Sequence, residues 1–307
     1  MTRSVGRWKS PGGERAYTQA YRAILSGLPA PSLVQDVTIT YGRVHVLMWR
    51  GRESGPPVLL LPGRGSGALM WSENMPDWIG HRTVYALDPI GDSGLSVQCL
   101  PLKGFEDQAD WIAETLHQLN IAQAHVVGHS FGGANAAIFA VRHPELVATL
   151  TLLEPVMVIE RLAASTYFWA TVTQLPVPQR VKDKALAEIG GTTVAEVRHR
   201  TPMSTMISMG ASNYTAALPI PRKLNDDQWR HLAMPIRVDI GGTKSLAGGA
   251  KAADRIRRLL PHADVHYWPD ATHSLPMQKH QQLDPELLAF WRGNSQPQRS
   301  SDEYPLP

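Results

Sequence analysis

The hydroxyl of Ser130 stands inside Gly128-His129-Ser130-Phe131-Gly132. A serine oxygen is a weak nucleophile until a neighbouring base takes its proton, so the surrounding elements decide whether this one can react. Before it runs Ala124 to Val127, an apolar stretch of the length of a buried strand. After it comes an alanine-rich stretch to Ala140 that reads as a helix. Gly-x-Ser-x-Gly between a strand and a helix is a nucleophile elbow, in which a sharp turn exposes the hydroxyl. The flanking glycines leave room for strand and helix to pack closely. Five-residue patterns of this kind also recur as plain glycine turns; the strand before and the helix after set this one apart.

The elements that must position such a serine follow in order. Gly13 to Ser26 places Tyr17, Ala20, Tyr21, Ile24 and Leu25 near one helical face. Val37–Thr40 and Val44–Trp49 alternate as two strands around Tyr41-Gly42-Arg43. Pro57–Leu61 is an apolar strand suited to a sheet interior, followed by Pro62-Gly63-Arg64-Gly65-Ser66-Gly67. Thr83–Leu87 is the next strand, Phe105–Leu119 an amphipathic crossover helix, and Leu146–Leu153 a strand ending at Glu154-Pro155. From Val156 to about Leu232 helical stretches (Arg161–Gln174, Val181–Ile189) alternate with prolines, and Met203, Met206 and Met209 lie three apart, with Tyr167, Phe168 and Trp169 as aromatics. Strands resume at Pro235–Ile240 and Asp264–Trp268, separated by a helix at about Ala247–Leu260. The last strand leads to Pro269-Asp270-Ala271-Thr272-His273-Ser274, and Asp284–Trp291 closes as a helix with Asp284 at the N-cap and Pro285 at its first position.

From about Val37 to Trp291 this order resembles the α/β-hydrolase superfamily, in its serine-nucleophile, esterase- or lactonase-like branch with a helical cap. The resemblance implies an α/β fold: a mostly parallel eight-stranded sheet, helices on both faces, a cap inserted after the sixth strand, and a Ser/acid/His triad in that chain order. It divides the chain into an N-terminal helical extension (1–35), a core (36–155 and 233–293), a cap (156–232) and a flexible tail (294–307). His273, after the final strand, matches the base. In the loop after Leu61 the family usually has His-Gly; Pro62 replaces the histidine and Gly63 keeps the second place, so the backbone N–H of Arg64 matches one oxyanion donor and that of Phe131 the other. Asp88 and Asp92 match a segment that braces loops beside the site. The acid is where this chain departs. Its usual loop reads Gly241-Gly242-Thr243-Lys244-Ser245, without a carboxylate. Some members place the acid after the sixth strand, where this sequence has Glu154, the preferred candidate; Asp239, Asp270 or no acid at all are the alternatives. A Met stripe is most often core, but in a cap it would suit a pocket for a bulky apolar substrate. His129 is expected to be a packing or loop group.

A serine in this place must attack an acyl carbon or similar electrophile, so cleavage of an ester, thioester or lactone of a small to medium apolar substrate leads. The alternatives are a lyase, acyltransferase or cofactor-free haloperoxidase of the same fold, or a ligand-binding receptor. Length and composition agree with a globular enzyme: 307 residues, 43% hydrophobic and 19% charged. A net charge of +3 without a basic block gives no expectation of a nucleic-acid partner. No apolar run is long enough for a membrane span and no secretory leader is apparent, and the single Cys99 suits a reducing cytoplasm. Neither metal-ligand spacing nor a nucleotide fingerprint is found, so no metal and no cofactor are expected. A homodimer contact through the N-terminal helix is left open.

Overall fold

The computed structural model describes residues 4–175, 177–191, 193–199 and 201–295. The expected tail from 296 onward, Pro176 and the side chain of Tyr167 lie outside the described residues. The main sheet contains β1 (Leu33–Ile39), β2 (Gly42–Trp49), β3 (Val58–Leu61), β4 (Val84–Leu87), β5 (Ala124–His129), β6 (Val147–Leu153), β7 (Ile236–Gly241) and β8 (Asp264–Trp268). Their spatial order is β8-β7-β6-β5-β3-β4-β2-β1, with the short strand Val97–Gln98 added on β2. β3 to β8 are mutually parallel, and β1 and β2 form the antiparallel edge. The main helices are α1 (Pro11–Leu25), α2 (Asp107–Gln118), α3 (Phe131–Arg142), α4 (Ala164–Gln174), α5 (Gln179–Gly190), α6 (Val194–Arg198), α7 (Pro202–Asn213), α8 (Gly249–Leu259) and α9 (His280–Gly293).

Period-two alternation explains the two layers of core. In the all-apolar β3, Leu59 and Leu61 point into a cluster with Ile112 of α2, Phe139 of α3 and Ile256 of α8. Val58 and Leu60 point to the opposite side, with Tyr17 and Tyr21 of α1 and Leu283 and Trp291 of α9. Successive strand side chains face opposite ways, so a strand covered on both faces must be apolar throughout.

Two sequence expectations change. The closing helix begins at His280, one turn before the expected N-cap Asp284. Leu283 and Asp284 are both fully buried, so that extra turn is packed against the core. The helix therefore carries Pro285 internally, which deprives the Gln281 carbonyl of its usual partner. The N-terminal segment joins the inserted helices. Arg7–Trp8 pairs antiparallel with Tyr214–Thr215, and α1 packs on α7 where glycines permit close approach. A Cβ on Gly13 would come within 2.6 Å of Asn213, and one on Gly210 within 3.4 Å of Tyr17. Met206, in the middle of the methionine stripe, is fully buried in the cluster that contains Tyr17 and Tyr21. Packing, rather than a pocket wall, accounts for it.

Candidate active site

The turn between β5 and α3 holds Ser130 at φ 54°, ψ −117°, a strained conformation for a residue with a side chain. Tertiary contacts enforce it. The Ser130 N–H donates to Leu153 O at the tip of β6 (3.1 Å), and the Ser130 carbonyl accepts from Val156 N (3.2 Å). The two flanking glycines are demanded by proximity: a Cβ on Gly128 would lie 2.3 Å from Gly132 O, and one on Gly132 only 2.1 Å from Leu61 O. No larger residue fits without separating strand from helix.

Glu154 follows directly on β6 and is likewise at positive φ (49°). Its N–H donates to Asp239 O on β7 (2.9 Å), which turns its side chain back over the strand tips. The carboxylate is fully buried and accepts from Gly241 N (2.7 Å), Ser245 Oγ (2.7 Å) and Leu246 N (3.0 Å). Those donors offset part of the cost of burying a charge. Two of these contacts, from Gly241 and Ser245, come from the loop in which the sequence shows no acid, and the third from Leu246 directly after it. That loop supplies donors where the family usually has a carboxylate, and Ser245 is a residue that sequence reasoning passed over.

His273 joins the two. Its Nε2 is 2.8 Å from Ser130 Oγ, and its Nδ1 is 3.1 Å from Glu154 Oε2. With the proton on Nδ1, that nitrogen donates to Glu154 and Nε2 accepts from the serine hydroxyl. Ser130 and His273 remain partly open to solvent. Neither alternative acid faces this imidazole. Asp239 is buried and accepts from Arg237 (2.8 and 2.9 Å) and Trp268 Nε1 (2.9 Å), and Asp270 is exposed and paired with Lys279 (2.8 Å).

His129 is more than filler. Its Nε2 donates to the carbonyl oxygen of His273 (2.8 Å), and the two rings lie 4.9 Å apart. Burial, reinforced by the neighbouring His273, lowers its pKa to about 3, so it is a neutral donor that anchors the His273 loop. The residue inside the elbow thus tethers the loop opposite.

The loop after β3 is braced in the same way. Asp88 accepts from Ala68 N and Leu95 N (both 2.7 Å), and Asp92 accepts from Gly65 N (2.6 Å) and Ser93 N (2.8 Å). Burial raises both carboxyls. The Gly63 N–H is engaged by Met70 Sδ (3.2 Å). Among the described residues, no hydrogen bond within the protein uses the backbone N–H of Arg64 or of Phe131.

Two surface hollows lie elsewhere. One of ≈ 490 Å³ is lined by Pro57, Thr83, Tyr85 and Leu119 at the opposite ends of β3 and β4; another of ≈ 340 Å³ runs past Glu160, Ser245 and Gly248 behind Glu154. Neither is lined by Ser130 or His273.

A family model described as alpha/beta hydrolase fold matches residues 56–294, which is most of the chain. The protein belongs to the alpha/beta hydrolase fold family. Within the family it is similar to carboxylesterase YbfK of Bacillus subtilis (strain 168), at 23% identity over 286 residues, 92% of this chain and 95% of that protein. The uncharacterized carboxylesterase nap of the same organism is 32% identical over 139 residues, which span 45% of this chain and about half (46%) of that relative. The crystal structure of naproxen esterase (carboxylesterase NP) from Bacillus subtilis aligns with a TM-score of 0.82 at 23% identity, over 92% of this chain and 99% of that one. Two of these alignments cover nearly the whole chain. Among the described residues, no helix is long and apolar enough to cross a membrane.

Proposed function

We propose that this protein is a serine ester hydrolase that forms and hydrolyses an acyl-enzyme on Ser130. The reading rests above all on one observation: an unbroken chain from Ser130 Oγ to His273 (2.8 Å) and from His273 to Glu154 (3.1 Å), set at a strained turn. His273 Nε2 takes the serine proton as Oγ bonds to the ester carbon, and the carbonyl π electrons move to oxygen. The backbone N–H groups of Arg64 and Phe131 receive that oxyanion, a role supported by their freedom from internal partners. The imidazolium returns its proton to the departing alkoxide, and Glu154 stabilises it meanwhile. Water then repeats the sequence on the acyl-enzyme and releases the acid.

Carboxylic esters with small to medium apolar acyl groups are the proposed substrates. The relatives named as carboxylesterases support this, as does the naproxen esterase whose fold this chain shares. The helices α4 to α7, which enter the chain between the strand tips carrying Glu154 and Gly241, are proposed as the cap over the site. The cytoplasm is the proposed compartment, supported by a single free cysteine, Cys99.

The test is active-site labelling. A fluorophosphonate is expected to add once per chain, on Ser130, and p-nitrophenyl butyrate is expected to be hydrolysed. Labelling elsewhere, or ester turnover unaffected by it, would overturn the assignment.

A further inference from the structure

Outside the active site, Asp77, His280 and Asp284 bring three ligand atoms within 4.8 Å of one another. The sequence shows no metal spacing there because the closing helix reads as starting at Asp284. Since α9 begins at His280, His280 and Asp284 stand four residues apart on a single helix, one turn above the other. Asp77 comes from the helical turn Met75–Trp78 that packs against α9.

Two buried ligand atoms of this set have no partner. Asp284 is 0% exposed, and only its Oδ1 is occupied, by Asn74 Nδ2 (2.8 Å). Its Oδ2 is buried without a hydrogen-bond partner, and so is His280 Nδ1. Among the described residues, no ion pair or hydrogen bond joins the three ligand residues to one another. Leaving such groups unsatisfied is costly, and two carboxylates sharing one small space repel. A cation between them removes both penalties. Asp77 is exposed, which gives the ion a way in. One imidazole nitrogen with two carboxylates suits zinc-like ions better than calcium or magnesium, which favour oxygen alone.

We propose that Asp77, His280 and Asp284 bind one divalent transition-metal ion of the zinc class, as a structural clamp. Asn74 shows what it clamps. The same Nδ2 that holds Asp284 also donates to Pro276 O (3.0 Å), in the turn just after His273. The ion ties α9 to the helical turn at Asp77 and, through Asn74, steadies the segment that carries the histidine.

The test uses the full chain without a histidine tag, stripped with a chelator. Calorimetric titration with Zn²⁺ is expected to show one equivalent bound, Co²⁺ to give d–d absorption at the same stoichiometry, and Zn²⁺ to raise Tm. Asp77→Asn and His280→Gln change residues that are not fully buried, so both are expected to fold. Each should weaken Zn²⁺ affinity at least about ten-fold and reduce the Tm rise at the same Zn²⁺ concentration. Less than a tenth of an equivalent bound by the wild type, or equal affinity in the wild type and both variants, overturns the proposal. The second result would place the zinc on other surface histidines.

Discussion

The strand tips that carry Ser130, Glu154 and His273 and the helices inserted between residues 156 and 232 are built on opposite principles. At the tips each side chain is over-determined. Ser130 and Glu154 are held at positive φ by hydrogen bonds to the neighbouring strands, and Glu154 accepts three further bonds. In the insertion, large apolar side chains stand in solvent instead: Phe168 is 59% exposed and Ile220 77%. It is attached at its two ends, where Val158, Ile159, Leu224 and Trp229 are buried in the main core, and through α7, which buries Met206 beside α1. If the proposed cap holds, chemistry that needs close placement sits on the rigid layer, and substrate choice falls to the insertion.

The sharpest way to break that contrast is at Ser130. Ser130→Ala is expected to fold with an unchanged Tm, within a few degrees, and to lose turnover by about 10³-fold or more. Residual esterase activity near wild type in the purified variant would remove Ser130 from the mechanism.

Glu154→Gln comes next. It keeps the side-chain shape and stabilises the wrong imidazole tautomer, a change that costs about 10⁴ in a serine protease. Asp270→Asn touches only an exposed pair with Lys279 and is expected to change turnover less than about two-fold. Asp239→Asn weakens a buried partnership with Arg237 and should appear in Tm rather than in the chemistry. Turnover measured on proteins of matched stability decides it: if Glu154→Gln stays active while Asp239→Asn does not, the acid is Asp239. Ser245→Ala is expected to be milder, about ten-fold in kcat with KM little changed, because Gly241 and Leu246 still hold the Glu154 carboxylate.

The same contrast governs how much could be read from the sequence. The elbow was legible because a strand, a glycine-flanked serine and a helix all leave local signatures. Glu154 could be found only by combining a missing carboxylate after Gly242 with a glutamate at the tip of β6. The role of Ser245 was not legible, since a hydroxyl 91 residues from Glu154 carries no periodic signal. His129 was hidden for the same reason: its partner is a backbone carbonyl 144 residues on. Asp284 misled because Asp-Pro is a strong helix-start signal, and only tertiary burial of Leu283 and Asp284 shows that the helix begins earlier. Of the methionine stripe, Met206 meets the core, which spacing could not tell because it shows a face but not what the face meets.

The smallest expected effect separates the two sides of the insertion. Phe168 packs edge-on against Trp169, with ring centroids 5.1 Å apart, and is otherwise exposed, so Phe168→Ser should alter stability by no more than about 0.5 kcal/mol. If α4 roofs the acyl site, the substitution removes apolar contact from long acyl chains. The ratio of kcat/KM for octanoate over butyrate esters should then fall by about two- to ten-fold, within the range that small changes of hydrophobic contact supply. Met206→Ala is the opposite case. Met206 is fully buried between the insertion and α1, so its truncation should cost about 2–5 kcal/mol and leave that ratio unchanged. A stable Met206→Ala with shifted chain-length preference would show that the methionine lines the substrate site after all. An unaltered ratio in Phe168→Ser would take α4 away from the acyl site and leave selectivity to the strand-tip loops themselves.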